Sequence, residues 1–110
     1  MHEMSLTQGI IEICEKHAGG RRVLSLDVEI GQLSGVVPEA VEFCFEACSA
    51  GTLLAGASIN IIHTPGRGLC RDCGADSPLA SIFDQCQACG GFQLDVISGE
   101  EMRVREIEVE

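Results

Sequence analysis

The sequence contains no tryptophan, no tyrosine and only seven lysines and arginines among its 110 residues. Seventeen aspartates and glutamates give it a formal net charge of −10 at pH 7. A field of this sign repels nucleic acids and anionic membranes, and it favours cations and basic protein partners. Because stacking aromatic side chains and basic side chains are both scarce, the composition argues against a nucleic-acid-binding protein.

Long apolar runs are missing as well. No run approaches the ~20 residues that a membrane-spanning helix needs, so we expect no membrane insertion. The N terminus lacks the charged and apolar regions of a secretory signal peptide. Seven cysteines in a chain without an export signal predict free thiols and a cytoplasmic protein.

Four of the seven cysteines form two pairs with the same spacing. Cys70 and Cys73 make one C-x2-C pair, Cys86 and Cys89 make the other, and a glycine follows each pair. Two such pairs supply four thiolates at tetrahedral corners, the ligand set typical of structural zinc, and the glycines permit the tight turns. Two disulfides or a redox pair are the alternatives. They are disfavoured because no βαβ pattern surrounds either pair and nothing marks secretion.

Hydrophobic periodicity predicts a small α+β fold around this zinc module. Residues 4–18 and 38–50 have helical periodicity, with Pro38 suited to a first helical turn. Residues 24–30 and 57–63 and the segment from residue 102 alternate as half-buried strands do. We therefore predict a three-stranded, mostly antiparallel sheet with two helices, plus an inserted zinc ribbon.

The boundary between the two parts is expected at Thr64-Pro65-Gly66, which breaks the strand pattern. Residues 1–64 and 99–110 then form an α/β domain, and residues 65–98 form the ribbon domain. A ribbon of roughly 30 residues is too small to bury a self-sufficient core. We therefore predict that it depends on zinc for folding.

The helices carry the three remaining cysteines on their apolar stripes. Since Cys14, Cys44 and Cys48 share these stripes with larger apolar residues, we interpret them as small core residues. A thiol enzyme would need an exposed thiol with a base beside it, and only His17 is available. The expected stripes comprise Leu6, Ile10, Ile13, Cys14 and His17 in the first helix and Val41, Cys44, Phe45 and Cys48 in the second. An acidic row, Glu39, Glu42 and Glu46, is interpreted as a solvated face.

A second candidate metal site lies at Met1-His2-Glu3. The α-amine, the backbone amide nitrogen of His2 and the His2 imidazole can form one square-planar chelate around Ni(II) or Cu(II). Glu3, His63 or water could supply a fourth donor. The alternative is an exposed N-terminal histidine that binds nothing, and the residues alone favour that alternative.

The whole chain resembles the HypA/HybF family, the nickel-incorporation proteins of [NiFe]-hydrogenase maturation. The resemblance rests on the opening MHE, the stretch VEIGQLSGV, the helix carrying FCFEA, the two C-x2-C pairs and the closing GEEMRVREIEVE. It implies that His2, with its neighbours Met1 and Glu3, binds Ni(II) as transient cargo. It also implies that Cys70, Cys73, Cys86 and Cys89 bind structural Zn(II).

The resemblance further implies a metallochaperone rather than an enzyme. Its expected partners are a HypB-type GTPase and the hydrogenase large subunit, and some lineages also serve urease maturation. The resemblance leaves open whether the protein is a monomer or a homodimer.

The chain departs from some relatives at positions that could hold nickel. No histidine follows His63, Gly74 and Gly90 stand directly after the cysteine pairs, and residues 35–37 replace an acidic ligand with Gly-Val-Val. We therefore expect a nickel site confined to the N terminus, completed by Glu3 or His63 and readily exchangeable.

Overall fold

The protein is described by a computed structural model covering residues 2–110. Every helix and strand predicted for the α/β domain is present there, with ends that differ by one or two residues. No helix in this range is long and apolar enough to cross a membrane. The elements are α1 Glu3–Ala18, β1 Val23–Gly31, α2 Pro38–Ser49, β2 Ser58–Thr64, β3 Arg67–Cys70, β4 Asp76–Pro78, β5 Leu94–Ser98 and β6 Met102–Val109.

The strands form two three-stranded sheets, ordered β2-β1-β6 and β4-β3-β5. In the second sheet, β3 is antiparallel to both neighbours. In the first, β6 runs antiparallel to β1, since Arg103 meets Glu29 while Glu108 meets Ser25 further back along β1. Strands β1 and β2 are neighbours in this sheet, and the chain between them passes through α2. A helical connection of this kind is typical of two parallel strands. The predicted α+β class with mostly antiparallel pairing is confirmed.

The buried face of α1 differs from the predicted stripe. Ile13 is 49% exposed and His17 is exposed, so that part of the prediction was wrong. Thr7 takes a core position instead, because its hydroxyl donates a hydrogen bond to the Glu3 carbonyl oxygen at 2.6 Å and loses no partner on burial. The buried residues of α1 are Thr7, Ile10, Ile11, Cys14 and Ala18.

Helix α2 begins at Pro38, as predicted. Its fully buried residues are Val41, Phe45 and Ser49. Cys44 and Cys48 flank this face and are half-buried, so their interpretation as core residues holds only in part. Cys14 is fully buried, and burial raises the pKa of its thiol to about 11.

The chain divides into two compact units. The first comprises Met1–Glu29, Val37–Ile62 and Arg103–Glu110, and the second comprises Ile30–Val36 and His63–Met102. The first unit holds both helices, and the second holds the β4-β3-β5 sheet. The predicted domain boundaries near residues 64 and 99 stay a prediction.

Three glycines bring backbone segments into direct contact within the second unit. The Gly31 N–H donates to the Glu101 carbonyl oxygen at 2.7 Å, and the Leu33 N–H donates to the Gly99 carbonyl oxygen at 2.6 Å. A Cβ on Gly31 would overlap that Gly99 oxygen, and a Cβ on Gly99 would lie 2.5 Å from Gly66 Cα. Only glycine fits at these positions, where the end of β1 contacts the backbone segments that precede β3 and follow β5.

Candidate metal centre

The four paired cysteines converge on one point. Their sulfur atoms all lie within 4.8 Å of one another. Cys70 Sγ is 3.7 Å from Cys89 Sγ, and Cys73 Sγ is 3.6 Å from Cys86 Sγ. These separations are far longer than the roughly 2.05 Å of a disulfide. Tetrahedral zinc with Zn–S bonds of about 2.3 Å places its sulfurs roughly 3.8 Å apart, so the arrangement fits one zinc ion.

Two backbone knuckles of the same geometry hold these sulfurs. In the first knuckle, the Cys70 N–H donates to the Ala75 carbonyl oxygen at 2.9 Å, and the Gly74 N–H donates to the Cys70 carbonyl oxygen at 2.9 Å. The second knuckle, which begins at Cys86, repeats both bonds at the same sequence offsets, at 2.7 and 2.8 Å. The glycine that follows each pair has φ of +75° or +76°, as predicted.

Contacts between the knuckles fix their relative position. A Cβ on Gly91 would lie 2.8 Å from Asp72 Oδ2 and 3.3 Å from Cys89 Sγ, so the two loops approach closely at this glycine. The buried Ser77 hydroxyl accepts a hydrogen bond from the Gln87 N–H at 3.0 Å. These supporting residues were not predicted from the sequence, where their only signal is the second glycine after Cys89.

Cys73 and Cys86 differ in how tightly they hold a proton. The backbone N–H groups of Cys89 and Ala88 lower the pKa of Cys86 to about 7. Although the Ala75 N–H lowers the pKa of Cys73, burial and hydrogen bonds with the other thiols raise it to about 12. Cys73 thus holds its proton more tightly than Cys86 does. A thiophilic divalent cation that replaces those protons suits this donor set.

Two of the residues predicted to bind nickel, His2 and Glu3, lie at the start of α1. His2 is exposed and occupies the N-cap position, where its side chain makes no capping hydrogen bond. Its carbonyl oxygen accepts the Leu6 N–H at 2.8 Å. Glu3 is half-buried as the first helical residue, and Met1 lies outside the described residues. His63 is exposed on β2 and belongs to the second unit. The nickel-binding roles of these residues stay predictions.

Comparison with known proteins places the chain in one family. Residues 1–109 match the family model described as "Hydrogenase/urease nickel incorporation, metallochaperone, hypA". Hydrogenase maturation factor HypA of Geobacter metallireducens is 61% identical over 110 residues, which cover 100% of each chain. The factor of the same name from Trichodesmium erythraeum is 44% identical over 110 residues, covering 100% of this chain and 96% of that protein.

The fold has a solved counterpart as well. The solution structure of the Ni metallochaperone HypA from Helicobacter pylori matches 99% of this chain and 97% of its own, with a TM-score of 0.68 and 25% sequence identity. The full-length family match, the close relatives and this structural likeness agree with the four-cysteine centre. The chain therefore belongs to the HypA family of hydrogenase and urease nickel-incorporation metallochaperones.

Proposed function

We propose that this protein binds Ni(II) at its N terminus and delivers it for maturation of the [NiFe]-hydrogenase large subunit. Family membership supports a carrier role, and the observation that carries the proposal is the exposed His2 directly before α1. The protein acts in the cytoplasm with a HypB-type GTPase as partner. It transfers a metal and catalyses no reaction of its own.

The start of α1 suits a chelate that includes a backbone nitrogen. The first N–H groups of a helix have no intrahelical acceptor, so metallation of the His2 amide sacrifices no helical hydrogen bond. The first helical bond uses the His2 carbonyl oxygen instead, which the Leu6 N–H approaches at 2.8 Å. The Met1 amine, the His2 amide and the His2 imidazole can therefore act as donors while α1 stays intact.

Electrostatics makes this nickel site moderate in strength. The partial positive charge at a helix N terminus opposes a cation by roughly 0.3–1 kcal/mol. Glu3 in the first turn and the net charge of −10 act in the other direction. Nitrogen donors of this kind prefer copper to nickel, so selectivity depends on metal supply and on partner docking. An exposed site of this kind also suits release of the cargo.

Zinc has a separate, structural role in this proposal. Cys70, Cys73, Cys86 and Cys89 hold it, because their sulfur separations match the tetrahedral requirement. When bound, zinc supplies the cross-link that a small ribbon needs and takes no part in nickel transfer.

Nickel titration calorimetry on untagged, zinc-loaded protein tests the two-site division. His2→Ala should abolish nickel binding and leave the zinc content unchanged. Acetylation of the Met1 amine should weaken nickel binding strongly, because it removes one of the three nitrogen donors. His17→Ala, which removes an exposed histidine at the other end of α1, is the matched control and should bind nickel normally. Retained binding in His2→Ala, or loss of zinc from it, would contradict the proposal.

A further inference from the structure

Helix α2 exposes apolar surface beside the acidic row interpreted from the sequence as a solvated face. Phe43 is 84% exposed, and Met4 on α1 is 51% exposed. Both line a depression of about 440 Å³ together with Cys44, Glu46 and Ala47. Neighbouring exposed apolar side chains of this kind mark interaction sites more often than isolated ones do.

A second depression adjoins the first along the same helix. It has a volume of about 530 Å³ and lies between the end of α2 and the following connector, where its lining comprises Phe45, Glu46, Ser49, Ala50, Ala55, Gly56 and Ala57. Glu46 lines both depressions. Phe43 and Ala50 are seven residues apart, about 10 Å along a helix axis. We call this two-part surface the α2 groove.

The charge of the α2 groove restricts what can occupy it. Glu39, Glu42 and Glu46 are exposed on α2, and its sequence contains no lysine, arginine or histidine. A second copy of this chain would bring another net charge of −10 against this surface, which disfavours self-association. A basic partner meets no such repulsion, and its positive charge complements Glu46.

The apolar and acidic features together suit a helical ligand. We propose that the α2 groove binds an amphipathic, basic helix of a partner protein. Two apolar side chains seven residues apart fill the two depressions, and a lysine or arginine between them contacts Glu46. This is helix-in-groove recognition, in which apolar anchors recur along one face of the ligand helix. The proposal does not depend on nickel binding at His2.

A peptide titration tests the proposal. The probe is a blocked 15-residue helical peptide of leucine and lysine, with leucines seven residues apart and lysines three and four positions after the first leucine. A matched peptide carries glutamate in place of lysine. Titrated into the zinc-loaded full-length protein and followed by NMR, the lysine peptide should bind, and the shifts should concentrate on α2 and on Met4. The glutamate peptide should not bind.

Four variants distinguish binding at the α2 groove from nonspecific hydrophobic or electrostatic association with the protein surface. Phe43→Ser should weaken peptide binding about tenfold or more. Phe83→Ser removes an equally exposed phenylalanine, 80% accessible, from the other unit and should bind as the parent does. Glu46→Gln should weaken binding and reduce its salt dependence, whereas Glu12→Gln, at an exposed site on α1, should do neither.

Several results would overturn the proposal. These are failure of the lysine peptide to bind, equal binding of the glutamate peptide, and equal losses for the two phenylalanine variants. Sedimentation that shows a dimer disrupted by Phe43→Ser would assign the groove to a second copy instead. Glu46→Gln keeps the test decisive if Phe43→Ser lowers solubility, because it leaves the apolar surface intact.

Discussion

Removing zinc should unfold the ribbon and leave the helical unit folded. Within residues 65–98, the fully buried side chains are Cys70, Ser77, Leu79 and Cys86. Two of these are proposed zinc ligands and one is polar, so Leu79 is the one aliphatic side chain fully buried in this described segment. The first unit buries many more, including Ile10, Leu26, Val28, Val41 and Leu54.

Zinc should contribute more to the stability of the ribbon than its buried aliphatic side chain does. Burial of one leucine contributes about 1.5–3 kcal/mol. Zinc binding in small structural sites contributes roughly 10–16 kcal/mol at pH 7. The metal therefore outweighs Leu79 several-fold, and its contribution is comparable to the ~5–15 kcal/mol that stabilises a typical domain. The buried aliphatic residues of the first unit need no metal.

Cys86→Ser in the full-length protein provides the assay. Hydrogen exchange should show that the amides of β3 and β5 lose protection, whereas those of α1 and α2 keep it and far-ultraviolet circular dichroism keeps its helical signal. Cys44→Ser, which removes a cysteine outside the cluster, is the control and should retain both zinc and protection. If zinc-free protein kept the protection of β3, or if the helices melted together with the ribbon, the reasoning would be refuted.

Two further predictions concern single residues. Gly31→Ala should destabilise the protein by about 2–3 kcal/mol in urea unfolding, because its Cβ overlaps the Gly99 carbonyl oxygen. Gly9→Ala, whose Cβ would meet no atom within 4 Å in α1, should stabilise by up to ~1 kcal/mol, and equal effects of the two changes would count against this account. Because burial raises the pKa of Cys14 to about 11, only roughly one thiol in a thousand is ionised at pH 8. Iodoacetamide should then label half-buried Cys44 in the folded protein and spare Cys14 until the pH nears 11; equal labelling rates at pH 8 would contradict the prediction.

Local signals in the sequence predict most of the fold, because each acts within a few residues. Pro38 begins α2, and Gly19, with φ of +63°, ends α1, since both residues act through their own backbone preferences. The cysteine knuckles are equally local. Two residues between cysteines and a glycine after them define the same hydrogen-bonded turn in both places.

Features that depend on distant partners could not be predicted in this way. Thr7 is polar by type, and only its hydrogen bond to the Glu3 carbonyl oxygen makes its burial inexpensive. Gly31 and Gly99 touch although they are far apart in sequence, and no periodicity reports such a contact. Phe43 has the hydrophobicity of a core residue, and only the packed structure shows that no part of the described chain covers it.

Helix α2 therefore has two faces with different consequences for mutation. Val41, Phe45 and Ser49 pack inward, so substitutions there change stability. Phe43 and Glu46 point outward. If position 43 only faced solvent, lysine or glutamine there would stabilise the helix more than phenylalanine does, because both are stronger helix formers. The exposed aromatic buries little surface within the fold, whereas the two depressions and the acidic row suit the recognition role proposed above. For this reason the Phe43→Ser test separates docking from folding, which a substitution on the inward face would confound.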